Sequence, residues 1–111
     1  MILKSANFRS LFHFLQLDSW MNKKRAEIKI YGEVQGVSFR ARICEIAKNL
    51  GLAGYVKNEP DGRVVIIAEG REEELKTLIK KCYNIPNARV ENIDEEWGEA
   101  ISEFKEFSVL Y

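Results

Sequence analysis

The stretch Gly32-Glu33-Val34-Gln35-Gly36-Val37-Ser38-Phe39-Arg40 carries the densest chemistry in this 111-residue sequence. Closely spaced glycines let a backbone turn tightly or approach a ligand. Gln35, Gly36, Val37, Ser38 and Phe39 lie between a strand-like run and a helix-like run. The first N–H groups of a helix have no intrahelical acceptor and sit at the positive end of its dipole, so a loop entering a helix there binds anions, phosphates above all. Arg40 adds a planar, permanently charged fork suited to phosphate or carboxylate. Ser38 is a nucleophile on paper, but no histidine or lysine base adjoins it, and it is set aside in that role.

The elements that position this loop are legible on either side of it. Ala26, Ile28 and Ile30 alternate with Glu27, Lys29 and Tyr31, the pattern of a half-buried strand over Ala26–Glu33. After Arg40 the period changes: Ile43, Ile46, Ala47 and Leu50 recur at helical spacing, predicting a helix from about Phe39 to Leu50 that Gly51 ends. Leu52–Asn58 and Val64–Ala68 read as a hairpin around Glu59-Pro60-Asp61-Gly62, with Gly70 breaking its second strand. Glu72, Glu73 and Glu74 open a second helix and Lys80 and Lys81 close it, each charge suited to its end of the dipole. Its stripe Leu75, Leu78, Ile79, Cys82 is a face packed on a sheet. A fourth strand runs over Ala88–Trp97, where the change of apolar parity between Val90 and Ile93 marks a bulge or burial on both faces. Phe107, Val109 and Tyr111 alternate as a closing strand. The order β-α-β-β-α-β plus a last strand is the ferredoxin-like α+β arrangement, an antiparallel sheet with two helices on one face.

Bulk properties narrow the function classes. The length fits one domain, and 46% hydrophobic with 31% charged residues is ordinary for a globular protein. Zero formal net charge gives no general attraction to nucleic acid. The strand Val64-Val65-Ile66-Ile67-Ala68 carries none of the stacking aromatics of an RNA-recognition sheet. Cys44 and Cys82 fall on apolar helix faces and read as small core residues; with no histidine–cysteine cluster, no metal or other cofactor is expected. Residues 1–25 stand apart as an extension. Phe8, Leu11, Phe12 and Leu15 have helical spacing, but the apolar run is too short and interrupted for a signal peptide or a membrane span. The segment reads as residues upstream of a start at Met21 or as a helix docked on protein, ahead of a membrane-surface segment. A cytoplasmic location is expected, and membrane contact is not; oligomeric state is left open.

Two motifs in order resemble the acylphosphatase family. Its first motif (Gly, any, Val, Gln, Gly, Val, any, aromatic, Arg) is matched from Gly32 to Arg40. Its second is matched by Gly54-Tyr55-Val56-Lys57-Asn58, Asp61-Gly62, Val64 and Glu69-Gly70. Singly, Arg40 is a common helix-start arginine and Asn58 a common turn residue; their joint spacing carries the signal. The resemblance covers residues 26–111 and implies a ferredoxin-like fold and metal-free hydrolysis of a small acyl phosphate to carboxylate and inorganic phosphate. It implies Arg40 and Asn58 as the catalytic pair, with Gln35, Gly36, Val37, Ser38, Phe39 and Arg40 holding the phosphate. A neutral amide at Asn58 orients a water rather than deprotonating it. The alternative is a ferredoxin-like regulatory module that binds phosphate or acyl phosphate without turnover, since fold alone does not fix function.

Overall fold

A computed structural model of the chain describes residues 23–36 and 38–111. The sequence readings for residues 1–22, and the place of Val37 in the loop, lie outside them. Alternating burial carries the first strand, β1 (Lys23–Glu33), with Ala26, Ile28 and Ile30 fully enclosed. It is the second strand of a five-stranded sheet ordered β4-β1-β3-β2-β5, where β2 is Ala53–Asn58, β3 Val64–Arg71, β4 Arg89–Glu99 and β5 Phe107–Leu110. Helices α1 (Phe39–Asn49) and α2 (Glu72–Cys82) cover the face that Ile28, Ile30, Val56, Val64 and Ile66 present. Phe39, Ile43 and Ala47 of α1 meet Leu75, Leu78 and Cys82 of α2 in that one core. Each large side chain enclosed there contributes about 1.5–3 kcal/mol. Burial pushes the Cys82 thiol up to about 12, so it behaves as a small hydrophobe and not as a nucleophile.

The parity change in the fourth strand is a bulge. Tyr31 faces Asn92 but Gly32 faces Val90, which leaves Glu91 without a partner on β1. Gly32 sits there at φ +134°, and any Cβ on it would strike the Arg89 carbonyl oxygen. The first glycine of the long motif therefore lets two backbones meet where β1 ends and the loop begins.

Three sequence expectations are corrected. β1 starts at Lys23 rather than Ala26, because Lys23, Lys24 and Arg25 find partners in Arg71, Gly70 and Glu69. Gly70 does not break β3 but lies within it; its missing side chain makes room for Leu52, whose Cδ2 a Cβ at that position would strike. The sheet is mixed rather than wholly antiparallel. Four strands alternate in direction, and β5 joins β2 in parallel, pairing Gly54 with Phe107 and Lys57 with Leu110.

The parallel strand follows from how the chain crosses the sheet. Residues 100–106 travel from the β4 edge to the β2 edge, tied down on the way. The buried Glu69 carboxylate accepts from the Ile101 N–H at 2.8 Å and from Arg25 Nη1 at 3.0 Å. Arg25 Nη1 also reaches Glu103 Oε1 at 2.9 Å, and Phe104 meets the Tyr55 ring edge-on at a centroid distance of 5.8 Å. Burial pushes the Glu69 carboxyl up, but the Ile101 N–H and the Arg25 guanidinium outweigh it and hold the group below its ordinary value of 4.5. A depressed folded pKa gives stability that is present above the unfolded value and is lost as pH falls through the folded one. Glu69→Ala should therefore cost about 2 kcal/mol at neutral pH, a Tm loss of about 10 °C. Thermal melts of the two proteins should draw together as the medium is acidified below the ordinary carboxyl value of 4.5; a gap that persists unchanged would remove the ionised latch.

Candidate active site

The loop between β1 and α1 is pinned at both ends by side chains driven into the core. Val34 and Phe39 are each 1% exposed, while Gln35, Gly36 and Ser38 between them face solvent. Gly36 has φ +86° and its Cβ position points into open space, so the turn presents bare backbone to the outside. Ser38 is also left-handed, at φ 64°. For a residue with a side chain that conformation costs roughly 1–2 kcal/mol. It also takes the hydroxyl away from its usual capping duty, and no side-chain cap closes α1. The Phe39 N–H turns back to the Gly36 carbonyl at 3.1 Å and the Arg42 N–H to the Ser38 carbonyl at 3.0 Å. The loop therefore spends strain to aim the positive end of the α1 dipole at a small concave surface.

Because Phe39 points inward, Arg40 points outward onto that surface. Its Nη1 donates to the Leu110 carbonyl oxygen at 3.0 Å, and its guanidinium lies 4.7 Å from the centroid of the Tyr111 ring. One of five N–H donors and one face of the plane are thus engaged, and among the described residues the rest of the fork has no partner and can meet an anion. Gly36, Ser38, Phe39 and Arg40, with Val109 and Tyr111, line a cavity of about 240 Å³. That is below the range of pockets for drug-sized ligands, about 300–1,000 Å³, and suits a small anionic group. Leu110 and Tyr111 went unread as site residues in the sequence. The acceptor from Leu110 is a backbone carbonyl, which leaves no trace in residue type, and only the parallel seat of β5 brings it to Arg40.

Asn58 ends β2, opposite Val64 of β3, and is half-buried. It does not line the loop cavity. Two ties set it relative to the loop. Lys57, its neighbour, pairs with Leu110, whose carbonyl grips Arg40. On the other side, Gln35 Nε2 donates to the carbonyls of Glu59 and Arg63 at 2.8 and 3.1 Å, so the residue after Asn58 is held by the residue that opens the loop. The Asn58 Oδ1 is buried and meets no donor among the described residues. Of the six residues read as phosphate-binding, Gly36, Ser38, Phe39 and Arg40 meet in one cavity, Gln35 turns its amide to the hairpin, and Val37 is outside the described residues. Among the described residues, no three His, Cys, Asp or Glu side chains converge as metal ligands, and no helix is long and apolar enough to cross a membrane.

A profile of the acylphosphatase family matches residues 26–109, the whole span from β1 into β5. The chain belongs to the acylphosphatase family. An acylphosphatase of a Roseiflexus species is 38% identical over 92 residues, covering 82% of this chain and 99% of the relative. One from Caldanaerobacter subterraneus is 40% identical over 88 residues, covering 78% and 98%. The crystal structure of acylphosphatase from Bacillus subtilis superposes with a TM-score of 0.76 at 36% identity, covering 79% of this chain and 99% of that one. The acylphosphatase likeness thus embraces both motifs and the elements that carry them, and the ferredoxin-like α+β fold is that of the solved relative.

Proposed function

We infer that this chain hydrolyses a small acyl phosphate to carboxylate and inorganic phosphate, with the phosphoryl group seated in the loop cavity. The observation that carries this reading is the Arg40 guanidinium, fixed between Leu110 and Tyr111 beside a left-handed loop that opens a helix. Such a seat offers a fixed cation and a helix dipole to the oxygens of a phosphoryl group, where charge rearranges in the transition state. Phosphoryl transfer passes through a loose transition state, so positioning and electrostatics supply most of the acceleration.

Each step then falls to a group already in place. A water oxygen forms the new bond to phosphorus while the bond from phosphorus to the carboxylate oxygen breaks. The leaving carboxylate is a weak base and departs without a proton from the enzyme. The side-chain amide of Asn58 accepts one hydrogen bond from that water and fixes its approach. The amide takes no proton; in a loose transition state the water loses its proton late and the product phosphate receives it.

Hydrolysis of benzoyl phosphate in EDTA-containing buffer made with ¹⁸O-water tests the reading. The label is expected in inorganic phosphate and not in benzoate. Label in benzoate would mean attack at the carbonyl carbon and would overturn the seat; absence of turnover by folded protein would return the chain to a binding module.

A further inference from the structure

We propose that Gln35 is a positioning residue for the attacking water, acting through the hairpin turn that carries Asn58, and that its side chain is not a ligand of the phosphoryl group. The inference rests on the proposed function above, since it assigns a further part of that site.

Strand β3 lies between β1, which leads into the loop, and β2, which ends at Asn58. Sheet pairing therefore cannot join the loop directly to Asn58. The Gln35 amide spans that gap. Both N–H bonds of its NH₂ group are engaged, one with the Glu59 carbonyl at 2.8 Å and one with the Arg63 carbonyl at 3.1 Å. Those carbonyls close the turn itself: Glu59 O accepts the Gly62 N–H at 3.1 Å, and Arg63 O accepts the Glu59 N–H at 2.8 Å. The amide thus grips the two ends of one turn, and the first of these ends is bonded to Asn58.

The chemistry of the amide agrees. With both donors spent on carbonyls, the remaining polar atom of the side chain is an oxygen, which repels a phosphoryl oxygen. What Gln35 fixes is the separation between two parts of the reaction. The phosphoryl seat is on the loop, and the water-orienting oxygen is on the hairpin. In-line attack requires these to agree to within a fraction of an ångström, and a misplacement of about 1 Å costs about 10²-fold in rate.

The test is a double-variant cycle. Gln35→Met keeps the length of the side chain and removes both donors. Its kcat for benzoyl phosphate should fall about 10- to 100-fold, while the inhibition constant of inorganic phosphate stays within about twofold, because the seat on the loop is intact. Made in an Asn58→Ala background and assayed at enzyme concentrations that follow the residual turnover, the same change should cost less than about threefold, because the group it positions is gone. Phosphate affinity that falls in step with kcat would make Gln35 a phosphate ligand and overturn the proposal. So would losses that multiply in the double variant. Gln35→Leu, uncharged and also without donors, gives the same readouts should the methionine variant fail to fold. If Asn58→Ala alone keeps full turnover, the water-orienting role itself fails, a result separate from either failure of Gln35.

Discussion

Arg40→Ala should lower kcat/KM for benzoyl phosphate by about 10³-fold or more, the scale on which arginines act in phosphoryl transfer. That is about 4 kcal/mol of transition-state stabilisation. The size follows from how the cation is held. Leu110 and Tyr111 fix the guanidinium before substrate arrives, so no ordering of a long side chain is charged against the reaction. Arg40→Lys should recover little of the loss. An ammonium supplies the charge but neither the planar face that stacks on Tyr111 nor a fork that can serve Leu110 and a phosphoryl oxygen together. Inorganic phosphate should also bind far more weakly to the alanine variant. Its thermal stability should fall by only about 1 kcal/mol, the worth of one hydrogen bond to Leu110. Kinetics, phosphate inhibition and a melting curve on the same preparation separate these effects. An Arg40→Ala protein with wild-type phosphate affinity would remove the seat.

Asn58→Ala should lose about 10²- to 10³-fold in kcat, the cost of removing one well-placed polar group from a reacting centre, and should keep inorganic phosphate affinity within about twofold. Its effect on stability should be small. No described residue donates to the Asn58 Oδ1, so truncation removes no protein hydrogen bond to it. The variant should melt close to the wild-type temperature. Full activity in this variant would refute the orienting role. A large drop in Tm with proportionate loss of phosphate binding would instead make Asn58 a structural turn residue.

Much of this architecture is legible in the chain because each element has one wet face and one dry one. The alternation of β1 and the Leu75, Leu78, Ile79, Cys82 stripe of α2 could serve only one packing. The bulge at Glu91 shows as a parity change because an extra residue flips every later side chain. The loop from Gln35 to Arg40 is readable as a feature because it falls where a strand becomes a helix. Other features depend on long-range company and leave no local mark. Gly70 reads as a breaker until Leu52 is seen to need its space. The parallel seat of β5 depends on Glu69 and Arg25 capturing a crossover far along the chain, through contacts no periodicity encodes. For the same reason the sequence could name Arg40 but not Leu110, and could name Gln35 but not the two carbonyls it grips.

The outer position of β4 bears on how the molecule coexists with its own copies. An eleven-residue strand at the border of the described sheet presents a row of N–H and C=O groups that no described strand pairs, the kind of surface on which strands of separate molecules join into aggregates. Here the row is guarded. Glu91, Asp94, Glu95, Glu96 and Glu99 all stand exposed along it, and the bulge at Glu91 bends its start away from a straight line. Two molecules approaching border to border would bring carboxylates against carboxylates before any backbone bond could form. A protein with no net charge to keep its copies apart in bulk thus concentrates like charge on the strand where self-adhesion would begin.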